Sequence, residues 1–270
     1  MSCSSNDSQV NKDAIGMENL IGLNFTQSER DTLLPGLKVY KDQYDTLRTV
    51  ALDNNVPVPL YFDPRLPGQT LPTGKDTYLF QEFPTKRPEN IEECAFYTIG
   101  QLAHLIRTRQ VTSLELTTMY LERLKRHGPT LECVVTITEE LALKQARRAD
   151  KNIKAGRYLG PLHGIPYGAK DLLAVAGYKT TWGAMTHKDQ VLDETATVVQ
   201  KLEDAGAVLV AKLTLGALAW GDVWYGGKTR NPWNTEQGSS GSSAGPGSAT
   251  AAGLVAFAIG SETWGSIVSP

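Results

Sequence analysis

A run of serines and glycines from Gly238 to Ser248 leads directly into a small, apolar segment from Ala249 to Gly260. A flexible Gly/Ser linker lies between polar flanks and keeps its composition throughout. This run instead continues into a segment that is suited only to burial, so we expect its serines to be held against a hydrophobic core. Serines stand on both sides of the apolar segment, at Ser242 and Ser266.

The length and composition exclude several classes of protein. The chain has 270 residues, of which 41% are hydrophobic, enough to bury a substantial core in one large domain or in a domain with an appendage. The formal net charge of −2 favours neither nucleic acid nor an anionic membrane as the main partner. Cys3, Cys94 and Cys133 are odd in number and lack metal-ligand spacing, which argues against a disulfide framework and a zinc site.

The N-terminus bears on the cellular location. Met1–Asp7 lacks an apolar signal region, and no apolar run in the chain is long enough to span a bilayer. We therefore expect a cytoplasmic protein from the sequence as it stands. Cys3 is followed by small polar residues, as at the start of a mature bacterial lipoprotein, so a true N-terminus upstream of Met1 would instead indicate export or lipid anchoring.

The pattern divides the chain after residue 95. Residues 1–95 are predicted to hold a polar, disordered tail up to about residue 20, then a helix within Leu20–Leu52, then an extended connector from Val56 to Pro88. Thr26 and Glu29 have the spacing of a capping box at the start of that helix. The connector is expected to wrap over a surface, and a substrate lid is the alternative.

Residues 96–270 alternate between helical and strand patterns. The predicted elements are a helix capped by Thr112 and Glu115 and closed at Gly128-Pro129, a strand Cys133–Ile137, a helix from Ala142 to Gly156 with Arg147, Arg148 and Lys151 on its solvated side, a helix from about Glu194 to Gly206, and a strand Ala207–Ala211. This alternation predicts the α/β class, with a largely parallel sheet between helical layers. Catalytic groups in such folds lie on the loops at the strand ends, where Lys170, Ser242 and Ser266 fall.

Lys170 stands between two apolar stretches, Ile165–Ala169 and Leu172–Val175. Burial disfavours the charged form of a lysine, so its pKa should fall and the neutral amine should be available as a base. The alternative, an ammonium that reaches water or pairs with Asp171, fits its position equally well. Two serines with a lysine can perform acyl transfer without histidine.

Other catalytic or cofactor chemistry finds little support. The histidines lack a serine neighbour in a nucleophile-elbow context, and His163 is expected to make structural hydrogen bonds. Neither a phosphate-binding P-loop nor a dinucleotide-binding G-x-G-x-x-G opens a helix after a strand. We therefore expect no cofactor and no metal.

Four motifs together resemble the amidase signature family: Gly164–Asp171 (GIPYGAKD), Asn231–Asn234 (NPWN), Gly241–Gly245 (GSSAG) and Gly260–Ile267 (GSETWGSI). Their order and the spacing of the lysine and two serines match the family, and the likeness covers roughly residues 98–270. The resemblance implies a large mixed, mostly parallel sheet sandwiched by helices. It also implies an amidase that hydrolyses the C–N bond of a linear carboxamide in a small-molecule substrate.

The resemblance also implies particular roles. Ser266 corresponds to the nucleophile that forms an acyl-enzyme, Ser242 to a bridging serine that follows a cis peptide bond, and Lys170 to the terminal base. The backbone N–H groups expected to form the oxyanion hole are those of Thr263, Trp264, Gly265 and Ser266. One such donor is typically worth about 3 kcal/mol in the transition state.

The chain departs from the family pattern at several positions. Trp264 stands where glycine is usual, and its indole is expected to narrow or line the acyl pocket. Val268 replaces an arginine, which removes an ion pair, while Ala244 and Pro246 replace glycine and serine. Family members also continue well beyond the nucleophile, whereas this chain ends at Pro270. We expect a fold that is incomplete at the C-terminus, with an unpaired final strand, and a chain that is poorly folded and inactive on its own.

Two other functions stay open at this point. The first is the glutaminase subunit of a tRNA-dependent amidotransferase. The long segment before Thr98 argues against it, and so does the tryptophan at position 264. The second is a non-catalytic remnant that keeps the serines only by descent. The sequence leaves the amide substrate and the oligomeric state, a homodimer among the options, undetermined.

Overall fold

A computed structural model describes residues 5–53, 56, 63, 65–66, 68–70, 73–74, 81 and 83–270, with the side chains of residues 5–8 excepted. The chain divides into two compact units, Met1–Asp76 and Thr77–Pro270. Most of the predicted connector between Val56 and Pro88 lies outside the described residues. The division of the chain after residue 95, which the sequence pattern indicates, stays a prediction.

The first unit contains two helices, α1 (Ser5–Ile21) and α2 (Gln27–Leu47). The predicted capping box is confirmed, because the Thr26 hydroxyl accepts from the Glu29 amide while the Glu29 carboxylate accepts from the Thr26 amide. The predicted disorder up to about residue 20 is wrong for the described residues. Arg30 donates to the buried carboxylate of Glu18 at 2.8 Å and ties the end of α1 to α2, which the local polar composition did not reveal.

The second unit begins with a short 3₁₀ helix, Ile91–Phe96, and then follows the predicted alternation. Its elements in chain order are α3 (Ile99–Arg107), α4 (Ser113–Leu131), β1 (Val134–Ile137), α5 (Glu139–Lys154), β2 (Pro166–Lys170), α6 (Thr197–Asp204), β3 (Val208–Leu213), β4 (Val223–Trp224), β5 (Gly227–Lys228), β6 (Arg230–Asn231), β7 (Asn234–Gly238), α7 (Ala244–Ala251) and β8 (Phe257–Ile259).

Helix α4 begins as predicted but ends later. Thr112 and Glu115 form a capping box that satisfies two free amides of the first turn. The predicted end at Gly128-Pro129 is wrong, because α4 continues to Leu131 and terminates at Glu132 in the left-handed conformation. Leu131 is buried, and the Glu132 carboxylate accepts from the Lys228 amide at 2.7 Å. Tertiary contacts thus extend the last turn past a residue pair that usually stops a helix.

The main sheet has four strands in the order β1-β3-β2-β8. β2 runs parallel to both β3 and β8, whereas β1 is antiparallel to β3. The predicted α/β class with a mixed, mostly parallel sheet is confirmed. β8 lies at the edge of this sheet, as the sequence predicted for the final strand, and it pairs with β2 alone among the described strands.

Apolar clusters cover both faces of the sheet. On one face Val210 and Leu213 of β3 pack with Leu124 of α4 and Ala146 of α5, and on the other Leu209 packs with residues that include Tyr167, Val199 and Leu202. Val208 and Val210 belong to the first cluster and Leu209 to the second, so these successive residues alternate between the two faces, as the period of a strand requires. The register of β3 against β2 shifts between Leu209 and Ala211, and Leu213 therefore packs in the first cluster as well. Of the helices in the described ranges, none is both long and apolar enough to cross a membrane.

Candidate active site

The three predicted catalytic residues lie around the carboxyl edge of the sheet. Lys170 is the last residue of β2, and Ser242 immediately precedes the segment that begins α7. β8 runs parallel to β2 and ends at Ile259, so the loop that carries Ser261 and Ser266 leaves the sheet at the same edge. Parallel strands place their following loops together, which explains how residues far apart in sequence meet here.

The Lys170 amine is surrounded by hydroxyl groups. Nζ lies 2.8 Å from Oγ of Ser242, 2.9 Å from Oγ of Ser261 and 3.1 Å from Oγ of Ser243. Lys170 is fully buried, and Ser242 and Ser243 are 1% and 2% exposed. The sequence left two possibilities for Lys170, a buried amine or an ammonium that reaches water or pairs with Asp171. The structure shows a buried amine next to the serines.

Burial lowers the pKa of Lys170 from its ordinary value of 10.5 to about 8. The physical cause is desolvation, which disfavours the ammonium, and no carboxylate among the described residues pairs with Nζ to oppose it. A substantial fraction of the amine is consequently neutral near physiological pH. This electrostatic setting makes Lys170 able to accept a proton.

Asp171 does not pair with its neighbour. Its Oδ1 accepts from Nζ of Lys212 at 2.6 Å, and its Oδ2 accepts from the amide and the hydroxyl of Thr181. Asp171 and Lys212 are both fully buried. Asp171, the carboxylate next to Lys170 in sequence, therefore pairs with Lys212 on β3 and accepts from Thr181, and it does not pair with Lys170.

The peptide bond between Gly241 and Ser242 is cis, as the family resemblance implied. A Cβ atom at Gly241 would overlap the carbonyl oxygen of Gly221, so only glycine fits this close approach. The amide of Ser243 donates to the carbonyl oxygen of Ser266 at 2.9 Å and joins the two serine-bearing loops. Within the described part of the chain, no hydrogen bond joins the Ser242 and Ser266 hydroxyls directly.

The loop after β8 folds around a carboxylate. Glu262 accepts from the amides of Ile267 at 2.7 Å and Val268 at 3.0 Å, and these bonds, with a smaller contribution from the Gly265 amide, lower its pKa. Gly265 has a positive φ of 84° that allows the turn. The loop that carries Ser266 and the predicted oxyanion donors is therefore held in shape by its own acidic residue.

A cavity of about 680 Å³ opens beside the serines. Ser242, Ser266, Thr263 and Trp264 line it, together with Trp220. Trp264 thus borders the same cavity as Ser266, and its predicted place in an acyl pocket stays a prediction. Lys170 contacts Ser242 but is not among the residues that line the cavity.

The sequence missed three participants in this environment. Ser243 and Ser261 contact the lysine but stood among many serines, and Lys212 was hidden in the strand it helps to form. The signal for Lys212 was a lysine within an otherwise apolar run, Val208–Leu213. The structural role expected for His163 is confirmed, because its Nδ1 accepts from the Leu159 amide at 3.0 Å.

The fold and the site together define an α/β protein with a buried lysine against serine hydroxyls at the carboxyl edge of a parallel sheet. A family model described as Amidase matches residues 115–270, more than half of the chain. The chain belongs to this amidase family.

Similar proteins fall into two groups. The A subunit of the glutamyl-tRNA(Gln) amidotransferase from Azoarcus sp. (strain BH72) is 42% identical over 176 residues, which cover 64% of this chain and 36% of the relative. The native peptide amidase from Stenotrophomonas maltophilia is 37% identical with a TM-score of 0.61, covering 66% of this chain and 38% of the other. A fatty acid amide hydrolase is 26% identical with a TM-score of 0.61. The chain thus spans less than two-fifths of the length of the first two.

Proposed function

We propose that this chain carries the nucleophile, the bridging serine and the base of an amidase that hydrolyses a linear carboxamide through an acyl-enzyme. Lys170 is the observation that carries the proposal, since it is a fully buried amine with a pKa lowered to about 8 that contacts Ser242 at 2.8 Å. Membership of the amidase family supports the same assignment.

The hydrogen bonds around Lys170 favour proton transfer from Ser242 in particular. A neutral amine has two N–H donors and one lone pair, whereas an ammonium has three donors. Ser243 donates its own hydroxyl proton to the Ser261 carbonyl, so it accepts from Lys170. The Ser261 carbonyl oxygen, 3.4 Å from Nζ, can also only accept, so it and Ser243 take the two N–H groups of a neutral amine. The lone pair is then left for the hydroxyl of Ser242 or Ser261, of which Ser242 is the nearer at 2.8 Å against 2.9 Å.

In the proposed reaction, Lys170 accepts the proton of Ser242 while Ser242 accepts the proton of Ser266. The Ser266 oxygen attacks the amide carbonyl, and backbone N–H groups of Thr263, Trp264, Gly265 and Ser266 stabilise the oxyanion. The protons return through Ser242 to the leaving amine, which departs as the acyl-enzyme forms. A water molecule, activated by the same route, then releases the carboxylic acid and regenerates Ser266.

A fluorophosphonate probe tests this assignment because it labels only an activated serine. We expect an adduct on Ser266, identified by peptide mass spectrometry, that disappears in Ser266→Ala and is strongly slowed in Ser242→Ala. Ser239→Ala is the matched control, since Ser239 is half-buried and its hydroxyl donates only to the neighbouring Ser240 carbonyl. The 270-residue chain and a chain restored to the length of its relatives are both labelled. Absence of the Ser266 adduct from both would favour the non-catalytic remnant.

A second candidate is the glutaminase subunit of a tRNA-dependent amidotransferase. It is favoured by relatives named as the A subunit of glutamyl-tRNA(Gln) amidotransferases, which are 35–42% identical over their matched regions. Ammonia release from glutamine, compared with release from a non-amino-acid amide such as propionamide, separates the two. Glutamine as the preferred substrate supports the second candidate, and indifference to glutamine supports the general amidase.

A further inference from the structure

Two tryptophans stand exposed at the mouth of the cavity beside the serines. Trp220 is 73% exposed and Trp264 is 83% exposed, although both border the same cavity as Ser242 and Ser266. Their ring centroids lie 6.1 Å apart with an interplanar angle of 34°. This distance is within the range of contacting aromatic pairs, so the two indoles form one continuous apolar wall.

The turn that carries Trp220 is held in an unusual backbone conformation. Leu218 and Ala219 both adopt positive φ, at 53° and 65°, which is uncommon for residues other than glycine. The turn is held by bonds from the Leu218 amide to the Trp182 carbonyl and from the Ala219 amide to the Gly216 carbonyl. A conformation that is costly yet well supported by its surroundings indicates that the position of Trp220 matters.

The same turn is fixed relative to the serines. Gly221 follows Trp220, and its carbonyl oxygen lies so close to Gly241 that no side chain fits between them. Gly241 directly precedes Ser242. The close contact between Gly221 and Gly241 therefore fixes the backbone next to Trp220 against the backbone next to the bridging serine. Trp264 lies two residues before Ser266, in the loop whose shape is fixed by the hydrogen bonds of Glu262.

The chemistry of the wall points to an uncharged, flat ligand group. The described residues that line the cavity include no charged side chain, and Leu172 and Ala219 add apolar surface to the two indoles. We infer that Trp220 and Trp264 form an aromatic subsite that selects amides carrying an aryl or similarly flat apolar group. This inference rests on the proposed function of Ser266 and deepens it by naming the substrate class.

Two fluorophosphonates that differ in one substituent test the subsite: one with a 4-phenylbutyl chain and one with an ethyl group. The readout is the ratio of their labelling rates at Ser266, measured in the 270-residue chain and in a chain restored to the length of its relatives. We expect the wild type to favour the phenyl probe, and each of Trp220→Ala and Trp264→Ala to reduce the ratio about fivefold. Trp264→Phe should recover most of the preference because it restores a ring.

Trp233→Ala is the matched control, since Trp233 is 80% exposed but lies on the turn between β6 and β7, outside the cavity lining. It should leave the ratio of the two rates at the wild-type level. An unchanged ratio in both Trp220→Ala and Trp264→Ala, or an equal loss in Trp233→Ala, would overturn the subsite.

Failure of the proposed function gives a different result, namely that neither probe labels Ser266. Binding of 3-phenylpropionamide is then followed by indole fluorescence, which needs no reaction at the serine. Quenching that weakens in both Trp220→Ala and Trp264→Ala, but not in Trp233→Ala, supports the aromatic subsite independently. No quenching in the wild type, or equal quenching by propionamide, contradicts it.

Discussion

Two buried lysines on adjacent strands of one sheet have opposite surroundings. Lys170 on β2 and Lys212 on β3 are both fully buried, and in the parallel register Lys212 lies opposite Ala169, one residue before Lys170. Successive side chains of a strand point to opposite faces, so this offset directs the two amines to different sides of the sheet. Lys212 meets the carboxylate of Asp171, whereas Lys170 meets serine hydroxyls.

The comparison shows that burial alone does not decide what a lysine does. Desolvation lowers the pKa of both amines, but in Lys212 the attraction of Asp171 opposes that effect. Asp171 is adjacent to Lys170 in sequence, yet its side chain serves Lys212. Because the Asp171 carboxylate pairs with Lys212, Lys170 lacks it as a charge partner, as the proposed role of Lys170 as a base requires.

The largest expected effect is on reactivity, from Lys170→Met. Removal of a general base typically costs about 10²- to 10⁴-fold in rate. We expect the Ser266 labelling rate to fall by this range, measured with the fluorophosphonate probe, while the circular dichroism spectrum keeps its wild-type form. Labelling at the wild-type rate would show that the amine of Lys170 is not the base.

The next effect is on stability, from Asp171→Asn. This change leaves Lys212 buried without its charge partner, and breaking a buried pair in this way typically costs about 3–5 kcal/mol. Urea unfolding should show a loss of that size in the free energy of unfolding. The double variant Asp171→Asn with Lys212→Met should lose less than the sum of its single variants, because they remove one interaction.

Additive losses in that cycle would contradict a pairwise role for Asp171 and Lys212. Lys151→Met offers a surface control, since Lys151 lies on the exposed side of α5 and its loss should change the free energy of unfolding by less than about 0.5 kcal/mol.

The sequence predicted local features of the fold, but not the different partners of the two lysines. Helix caps at Thr26, Thr98 and Thr112 are local, and the boxes at Thr26 and Thr112 could be predicted from residues three apart. The alternation of strand and helix patterns along the chain predicted the parallel sheet. The nearly continuous apolar run at Val208–Leu213 is typical of a strand that is buried on both faces. The proximity of Lys170 to Ser242 came from the family resemblance, because no local rule joins residues so far apart.

What the sequence could not supply depends on side-chain geometry. Asp171 stands next to one lysine and far from the other, so only the register of β2 against β3 shows which lysine it pairs with. Ser243 and Ser261 lie in serine-rich stretches in which composition does not single out a residue. The contact between Glu18 and Arg30, which ties the end of α1 to α2, could not be read from the polar composition of α1.

The pH dependence should sharpen the contrast further. The pKa of Lys170 is lowered to about 8, so the reactive neutral form gains tenfold per pH unit below that value and saturates above it. We expect the Ser266 labelling rate to follow this curve. An inflection that persists in Lys170→Met would assign the titration to another group.

The same pKa has a consequence for stability. Between pH 8 and the ordinary value of 10.5, the unfolded state binds more protons at Lys170 than the folded state does. The contribution of this residue to the free energy of unfolding should therefore rise with pH through that window. Lys170→Met should show a shallower rise than the wild type, measured by urea unfolding at pH 7.5, 9 and 10.5, and parallel curves would contradict the assignment.

The smallest expected effect comes from Ser243→Ala. The Ser243 hydroxyl accepts from Lys170 at 3.1 Å and from the Ser261 amide at 3.2 Å, but it donates to the Ser261 carbonyl and so cannot give its proton to the amine. Of these three hydrogen bonds only the one from Lys170 involves the proposed base, and the loss of one hydrogen bond is worth about 1 kcal/mol, which corresponds to about fivefold in the Ser266 labelling rate. Ser242→Ala, by contrast, interrupts the proton path and should cost far more. Equal losses in the two variants would mean that position 243 shares the relay, and a larger loss in Ser243→Ala would transfer the bridging role from Ser242 to Ser243.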